Sequence, residues 1–411
     1  MRAGTRVTSD AADHSGSANV LLVHQGAEMY GSDVVFRAVV GALRSRHSVR
    51  VVLPEWGPLA DALAQDGVAV DVRPMGIVRR RMASPWGLVR LLVLTCRGAR
   101  SVERIARDFD ADLVYSNTLA VLSGAVAAKR LRVPHVWHVH ETIDRPRLVA
   151  WALASTACRL SELVIAVSEA TAANLAAHCP GAAAKTVVIR NGARPCHHGE
   201  EVVEGVRAEL GLKKDDLVVT LVGRVSERKG QTLLVRAVGL LPPALRQRVR
   251  VLIVGDVFRG NEEAKDRVAE ETVRTGLEKQ VMILGFRSDI PAIMAASDVV
   301  TIPSLLPESA PTVALEAMAA SRPVIASSVG GLPEIIADGI TGLLIPAGDA
   351  EELAAALTAT LENETMRTGM GRAGRRRLEE VFGVAAFEDA INGAVERAVD
   401  VRERDARTTC D

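Results

Sequence analysis

Short apolar segments rich in β-branched residues alternate with longer segments of helical periodicity along most of the 411-residue chain. Turn residues bound each apolar segment, as is typical of strands buried in a parallel sheet. In the first half of the chain the predicted strands cover residues 20–24, 49–53, 68–72, 113–116, 135–139, 163–167 and 186–190. The alternation predicts βαβ units, and therefore a sheet with helices on both faces.

The pattern restarts after a polar, charged stretch that carries no strand signal. Strands are predicted at 217–222, 249–254, 281–284, 299–302, 324–326 and 342–345. We therefore expect an α/β fold of two Rossmann-like doubly wound domains that face a cleft, where the carboxyl ends of the strands bind ligands. The expected divisions are a flexible lead-in (1–18), an N-terminal domain (19–195), a linker (196–216), a C-terminal domain (217–383), and a C-terminal helix and tail (384–411).

Composition excludes several classes of protein. Charged residues make up 24% of the chain and apolar residues 48%, as in ordinary globular proteins. Aromatic residues are only 3%, which disfavours base-stacking surfaces, so no nucleic-acid partner is expected. The five scattered cysteines and the polar start of the chain predict reduced thiols and a cytoplasmic location.

A glycine-bounded turn with two cations follows the first predicted strand of the second half. Gly223 and Arg224 begin it, and Lys229 ends it. A diphosphate would lie at this strand end, and arginine offers phosphate a bidentate partner. The alternative is a solvated charged turn.

Two glutamates, Glu308 and Glu316, flank the predicted start of a helix near Thr312. Carboxylates at such a place accept hydrogen bonds from sugar or ribose hydroxyls. The alternatives are an acid–base pair of a glycosidase and an acidic residue favoured by the helix dipole.

In the first half, the loop that contains Gly31 and Ser32 follows the first strand, and its helix N-terminus favours an anion. His138 and His140 share one face of another strand end. They are the one candidate metal pair, but no third ligand has metal-site spacing.

Five motifs occur in a fixed order in the second half: GRxxxxKG at 223–230, PExxxxxxxEAMA at 307–319, RPVIA at 322–326, GGxPE at 330–334 and DGxxG at 338–342. With this set, the sequence resembles the retaining nucleotide-sugar glycosyltransferases of family 4, which have the GT-B fold. The resemblance covers about residues 20–387. It implies transfer of a sugar from a nucleotide-diphosphate donor to a hydroxyl of a glycan, a lipid-linked acceptor or a small molecule, as in surface-glycan or polysaccharide biosynthesis.

The resemblance also implies roles for individual residues. Arg224 and Lys229 would hold the donor diphosphate, with Gly223 beside them. Glu316 would bind the ribose, and Glu308 and His140 would contact the donor sugar. The remaining donor-site residues would be Gly31 and Ser32 in the first-half loop, Phe286 and Arg287 beside the base, and Thr312 and Val313 near the phosphate or sugar.

In such enzymes the departing phosphate takes the proton of the acceptor hydroxyl, so the resemblance implies no general base, no obligatory metal and no cofactor. Two rival functions are an epimerase of nucleotide sugars on the same fold and a sugar-binding module without catalysis. The epimerase would release no nucleoside diphosphate, and the module would bind without turnover.

A basic segment spans residues 73–107 and holds nine arginines and one acidic residue, Glu103. An apolar run from Trp86 to Leu94 lies within it. The segment fits peripheral contact with an anionic membrane at its inner face. The alternative is a core helix with a basic solvated face.

Overall fold

The computed structural model describes residues 17–78, 84–143, 145–257 and 262–408. The strands of the N-terminal domain are β1 (Asn19–His24), β2 (Ser48–Leu53), β3 (Ala69–Val72), β4 (Leu113–Asn117), β5 (His135–Val139), β6 (Leu163–Ala166) and β7 (Thr186–Val188). They form one parallel sheet in the order β3-β2-β1-β4-β5-β6-β7. This order puts the ends of β1, β4 and β5 side by side in the middle of the sheet.

A second parallel sheet forms the C-terminal domain. Its strands are β8 (Leu217–Val222), β9 (Val249–Val254), β10 (Val281–Gly285), β11 (Val299–Ile302), β12 (Val324–Ser327) and β13 (Gly342–Ile345), in the order β10-β9-β8-β11-β12-β13. The predicted fold class is confirmed. All predicted strands are present within one or two residues, because buried parallel strands are apolar along their whole length.

Helices cover both sheets. Those of the N-terminal domain are α1 (Gly31–Arg44), α2 (Pro58–Gln65), α3 (Pro85–Asp108), α4 (Ser123–Leu131), α5 (Arg147–Leu160) and α6 (Glu169–His178). The others are α7 (Glu200–Glu209), α8 (Gln231–Gly239), α9 (Pro243–Arg248), α10 (Glu263–Thr275), α11 (Ile290–Ala296), α12 (Thr312–Ala319), α13 (Leu332–Ile335), α14 (Ala350–Glu362), α15 (Glu364–Val381) and α16 (Val384–Thr408).

The sequence predicts a linker at 196–216. The structure shows instead that this stretch contains helix α7. Val206 of that helix is buried against Val218 and Leu252 of the C-terminal sheet. Helix α7 contains four glutamates, so the composition of this segment looks polar although one side of the helix is apolar. The stretch therefore packs as part of the C-terminal domain.

The last helix, α16, returns to the N-terminal domain. Phe387, Ile391 and Val395 are buried in the core that α1 and β1 form, and the Asn392 amide donates to the carbonyl of Ala42 at 3.1 Å. Two crossings of the chain therefore join the domains.

Helix α3 has two unlike halves. Its C-terminal half buries Val102 and Ile105, whereas Trp86 is 84% exposed and Leu92 is 64% exposed. The core-helix alternative therefore holds for one half only. Arg79–Arg81, the predicted lead-in up to residue 16, and residues 409–411 of the predicted tail lie outside the described residues. In the described part of the chain, no helix is both long enough and apolar enough to cross a bilayer.

Candidate active site

A cavity of about 2000 Å³ lies between the two sheets, at the carboxyl ends of their strands. Both domains contribute to its wall. Every predicted site residue lines it: Gly31, Ser32, His140, Gly223, Arg224, Lys229, Phe286, Arg287, Glu308, Thr312, Val313 and Glu316. The structure thus brings together residues that are as much as 285 positions apart.

Lys229 forms an ion pair at the C-terminal side of this cleft. Its Nζ lies 2.5 Å from Oε2 of Glu308, and the other oxygen of Glu308 accepts from the hydroxyl of Ser304. Both charged side chains are mostly shielded from solvent, which strengthens the pair. A carboxylate and an ammonium side by side present one acceptor and several donors to a ligand.

Glycines fix the backbone around this pair. Gly330 has a φ of 59°, and a Cβ there would lie 2.1 Å from the carbonyl oxygen of Glu308. The amide of Gly331 donates to that same carbonyl at 2.7 Å. Only glycine allows this approach, so the GGxPE motif holds the loop of Glu308 in place.

Arg224 reaches across the cleft to the loop between β1 and α1. It pairs with the carboxylate of Glu28, and its Cζ lies 3.5 Å from the centre of the Tyr30 ring. Tyr30 also meets the edge of Phe286, with ring centres 5.7 Å apart. Burial lowers the pKa of Arg224 to about 10, so the guanidinium stays charged at neutral pH. Sequence reasoning missed both Glu28 and Tyr30.

The N-termini of α1 and α12 face each other. A Cβ placed on Gly31 would lie 3.9 Å from Oγ1 of Thr312, which shows how near the two domains come. Burial raises the pKa of Glu316, which also accepts a hydrogen bond from Thr312. The starts of two helices therefore border one place in the cleft, and a helix N-terminus favours an anion.

Arg287 is engaged within its own domain. Its guanidinium donates to Asp289 at 2.7 and 2.8 Å and to Glu209 at 2.5 Å. Hydrogen bonds to Asp289 and then Glu209 raise its pKa. The neighbouring ring of Phe286 is half-exposed, and both residues line the cavity.

His140 lies just beyond the end of β5, and its Nε2 is 2.8 Å from Oδ1 of Asn117 at the end of β4. The Nδ2 of Asn117 lies 3.0 Å from Nδ1 of His24, which ends β1. The Nε2 of His24 lies 2.7 Å from Oδ1 of Asp33 in the first turn of α1. Burial, and then the nearby His138 and His24, lower the pKa of His140 well below its usual range.

The suggested metal pair has other partners. His138 hydrogen-bonds to the hydroxyl of Tyr115 at 2.8 Å, whereas His140 bonds to Asn117. Among the described residues, no group of three histidines, cysteines or acidic residues is placed to hold a metal ion.

Glu141 supports the backbone beside His140. Its Oε2 accepts from the amides of Leu119 at 3.1 Å and His140 at 3.2 Å. Burial raises its pKa to about 7, although these hydrogen bonds act in the opposite direction. This carboxylate therefore titrates near neutral pH while it holds the end of β5.

One end of the cavity is apolar. Leu88 and Leu91 of α3 line it together with Leu148 and Leu153 of α5. Leu88 is 56% exposed and Leu148 is 73% exposed, so this apolar wall continues onto the outer surface.

Two facing Rossmann-like domains, with cations at the strand ends of the second and a histidine at those of the first, define a protein of the GT-B class. Two family models match the chain: "Glycosyltransferase Family 4" over residues 30–195 and "Glycosyl transferases group 1" over residues 203–377. The chain belongs to the family 4 glycosyltransferases, and the resemblance in its motifs is confirmed.

Curated relatives include a D-inositol 3-phosphate glycosyltransferase of Kribbella flavida, 30% identical over 74% of this chain and 77% of that protein. The enzyme of that name from Corynebacterium aurimucosum is 35% identical, but the match spans 47% of this chain and only 46% of the relative. Among solved structures, Anabaena Alr3699/HepE in complex with UDP-glucose superposes with a TM-score of 0.82. That match has 27% identity and covers 92% of this chain and all of the other.

Proposed function

We propose that this protein transfers a sugar from a nucleotide-diphosphate donor to a hydroxyl of an acceptor, with retention of the anomeric configuration. The observation that carries the proposal is the position of Arg224 and Lys229 at one cleft that His140 lines from the opposite domain. Two cations suit a diphosphate leaving group, and a neutral histidine suits an uncharged sugar.

We further propose that the reaction needs no metal and no cofactor. The support is electrostatic, because Arg224 and Lys229 supply positive charge where a diphosphate would gain negative charge as the glycosidic bond breaks. Activity should persist in the presence of a strong chelator. A requirement for added Mg²⁺ or Mn²⁺ would overturn this part.

The donor is tested with a panel of UDP-, GDP- and dTDP-sugars, UDP-glucose first, because the similar HepE structure contains it. A bound donor raises the melting temperature by mass action, and turnover releases the nucleoside diphosphate. Isomerised donor without release would support the epimerase, and a thermal shift without turnover would support the binding module. A folded protein that gives neither shift nor release would refute the proposal.

We propose a peripheral contact with an anionic membrane as a second property. The support is the exposed apolar face of α3 and α5, including Trp86 and Leu148, next to the described arginines Arg90 and Arg147. Tryptophan and arginine together favour the interface of an anionic bilayer. A lipid-linked acceptor would then reach the apolar end of the cavity directly from the bilayer.

Co-sedimentation with vesicles tests the contact. The protein should bind phosphatidylglycerol vesicles better than phosphatidylcholine vesicles, and W86A should reduce the bound fraction severalfold. Trp56 is the matched control, since it is 57% exposed elsewhere in the same domain. Equal binding of W86A and W56A, or no binding to anionic vesicles, would refute the contact.

A further inference from the structure

A buried chain of hydrogen bonds runs from the first turn of α1 to the cleft. It joins Asp33, His24, Asn117 and His140 through contacts of 2.7, 3.0 and 2.8 Å. Strands β1, β4 and β5 are neighbours in the sheet, so their carboxyl ends place the last three side chains in a row. His24 is fully buried, and its ring stacks on Phe36 at 4.4 Å.

The carboxylate of Asp33 sets which atoms donate and which accept along this series of hydrogen bonds. Asp33 already accepts from the amide of Tyr30 at 3.0 Å, and an ionised carboxylate only accepts hydrogen bonds. The Nε2 of His24 therefore donates to Asp33. We take His24 without a second proton, so that its Nδ1 is bare. That nitrogen accepts from Nδ2 of Asn117, which turns Oδ1 of Asn117 toward His140. His140 must then carry its proton on Nε2.

We propose that Asp33, His24 and Asn117 are positioning residues that hold His140 as the neutral tautomer protonated on Nε2. The nitrogen that Asn117 leaves available, Nδ1, is then a hydrogen-bond acceptor for a hydroxyl of the substrate in the cleft. The identity of that substrate rests on the proposed function, whereas the tautomer does not.

The proposal excludes the arrangement in which His24 carries two protons and the Asn117 amide is reversed. If His24 were a cation, its Nδ1 would donate, Asn117 would turn by 180°, and its amide would donate to Nε2 of His140. His140 would then carry its proton on Nδ1 and would offer a donor to the substrate. The two arrangements differ in which end of the Asn117 amide faces His140 and in where the protons lie, so an observation of the protons is needed to distinguish them.

Nitrogen NMR of the full-length protein with ¹⁵N-labelled histidine distinguishes the two tautomers. His140→Gln assigns the signal among the nine histidines. We expect Nδ1 of His140 to have the shift of a bare nitrogen and Nε2 that of a protonated one. A protonated Nδ1 in the wild-type protein would overturn the proposal.

Two variants of one position test the positioning role. N117L removes the amide at similar size, so the tautomers of His140 should mix and kcat/KM should fall roughly tenfold, as for the loss of one hydrogen bond. N117D keeps an acceptor for Nε2 of His140, so the tautomer should stay; its second oxygen cannot donate to Nδ1 of His24, which must then take up a proton, so only part of the lost activity should be recovered. H24F keeps the ring on Phe36 without its nitrogens and should act like N117L.

Ser116→Ala is the matched control on the same strand. It removes a buried hydrogen bond of 2.8 Å to His135 but leaves the chain to His140 intact, so tautomer and kcat/KM should not change. An unchanged tautomer and rate in N117L would refute the positioning role. If no nucleotide sugar is turned over, the proposed function fails, but the NMR measurement still decides the tautomer.

Discussion

Glu28 should compete with a donor diphosphate for Arg224, so E28Q is expected to tighten donor binding. The side chain of Glu28 is 57% exposed, whereas that of Arg224 is 15% exposed and lies against Tyr30. An ion pair with one exposed partner contributes at most about 1 kcal/mol. A ligand that must break it binds more weakly by up to about fivefold, since about 1.4 kcal/mol corresponds to a factor of ten.

Calorimetric titration with the nucleoside diphosphate that the panel identifies, UDP first, measures the effect. We expect E28Q to lower Kd about two- to fivefold at low salt, with a smaller difference at high salt because the ion pair is then screened. Glu103→Gln is the control, since Glu103 pairs with Arg107 on the remote part of α3. An unchanged or higher Kd in E28Q would refute the competition.

K229M should lower kcat by roughly 10²–10³, as for the loss of one group that stabilises charge in the transition state. The control K265M, on the same domain, should leave kcat unchanged. A loss below tenfold in K229M would argue against the role of Lys229. G330A should lower the free energy of unfolding, measured by denaturant titration, by at least about 2 kcal/mol, because its Cβ would collide with the backbone of Glu308. In the control G369A the new Cβ has open space, so the same measurement should show no change or a stabilisation. The raised pKa of Glu141 means that its contribution to stability is complete below the unfolded value of 4.5 and is lost as pH rises to about 7. E141Q should therefore flatten the fall of melting temperature across that range, and an unchanged slope would contradict the assignment.

Local signals made the strands and the C-terminal half of the site predictable. Buried parallel strands are continuous apolar runs, and Arg224, Lys229 and Glu308 occur in short motifs that follow such strands. Helix α7 was missed because its buried stripe, which includes Val206, is narrow and its other faces are acidic. The polar composition of this segment comes from the residues on the solvent-exposed side of the helix, so it does not reveal the side that packs on the sheet.

The N-terminal half of the site needed the sheet order. His24 and Asn117 are 93 residues apart, and Glu28 and Arg224 are 196 apart. Each would look like an ordinary polar residue at the end of a strand or in a loop. His24 and Asn117 meet because β1 and β4 are neighbours in the sheet. Glu28 and Arg224 meet because the two domains approach each other. The residue pattern of a single strand or loop predicts neither contact.

The two domains contribute different electrostatics to the cleft. Burial, and then the nearby His138 and His24, lower the pKa of His140 well below its usual range, so this side chain of the N-terminal domain is neutral near pH 7. Arg224 and Lys229 supply the fixed positive charge from the C-terminal domain. The affinity for a diphosphate should therefore depend on salt through the C-terminal residues, whereas discrimination among sugars should depend on uncharged hydrogen bonds from His140. Substitutions on the two sides of the cleft should accordingly affect nucleotide affinity and sugar selectivity separately.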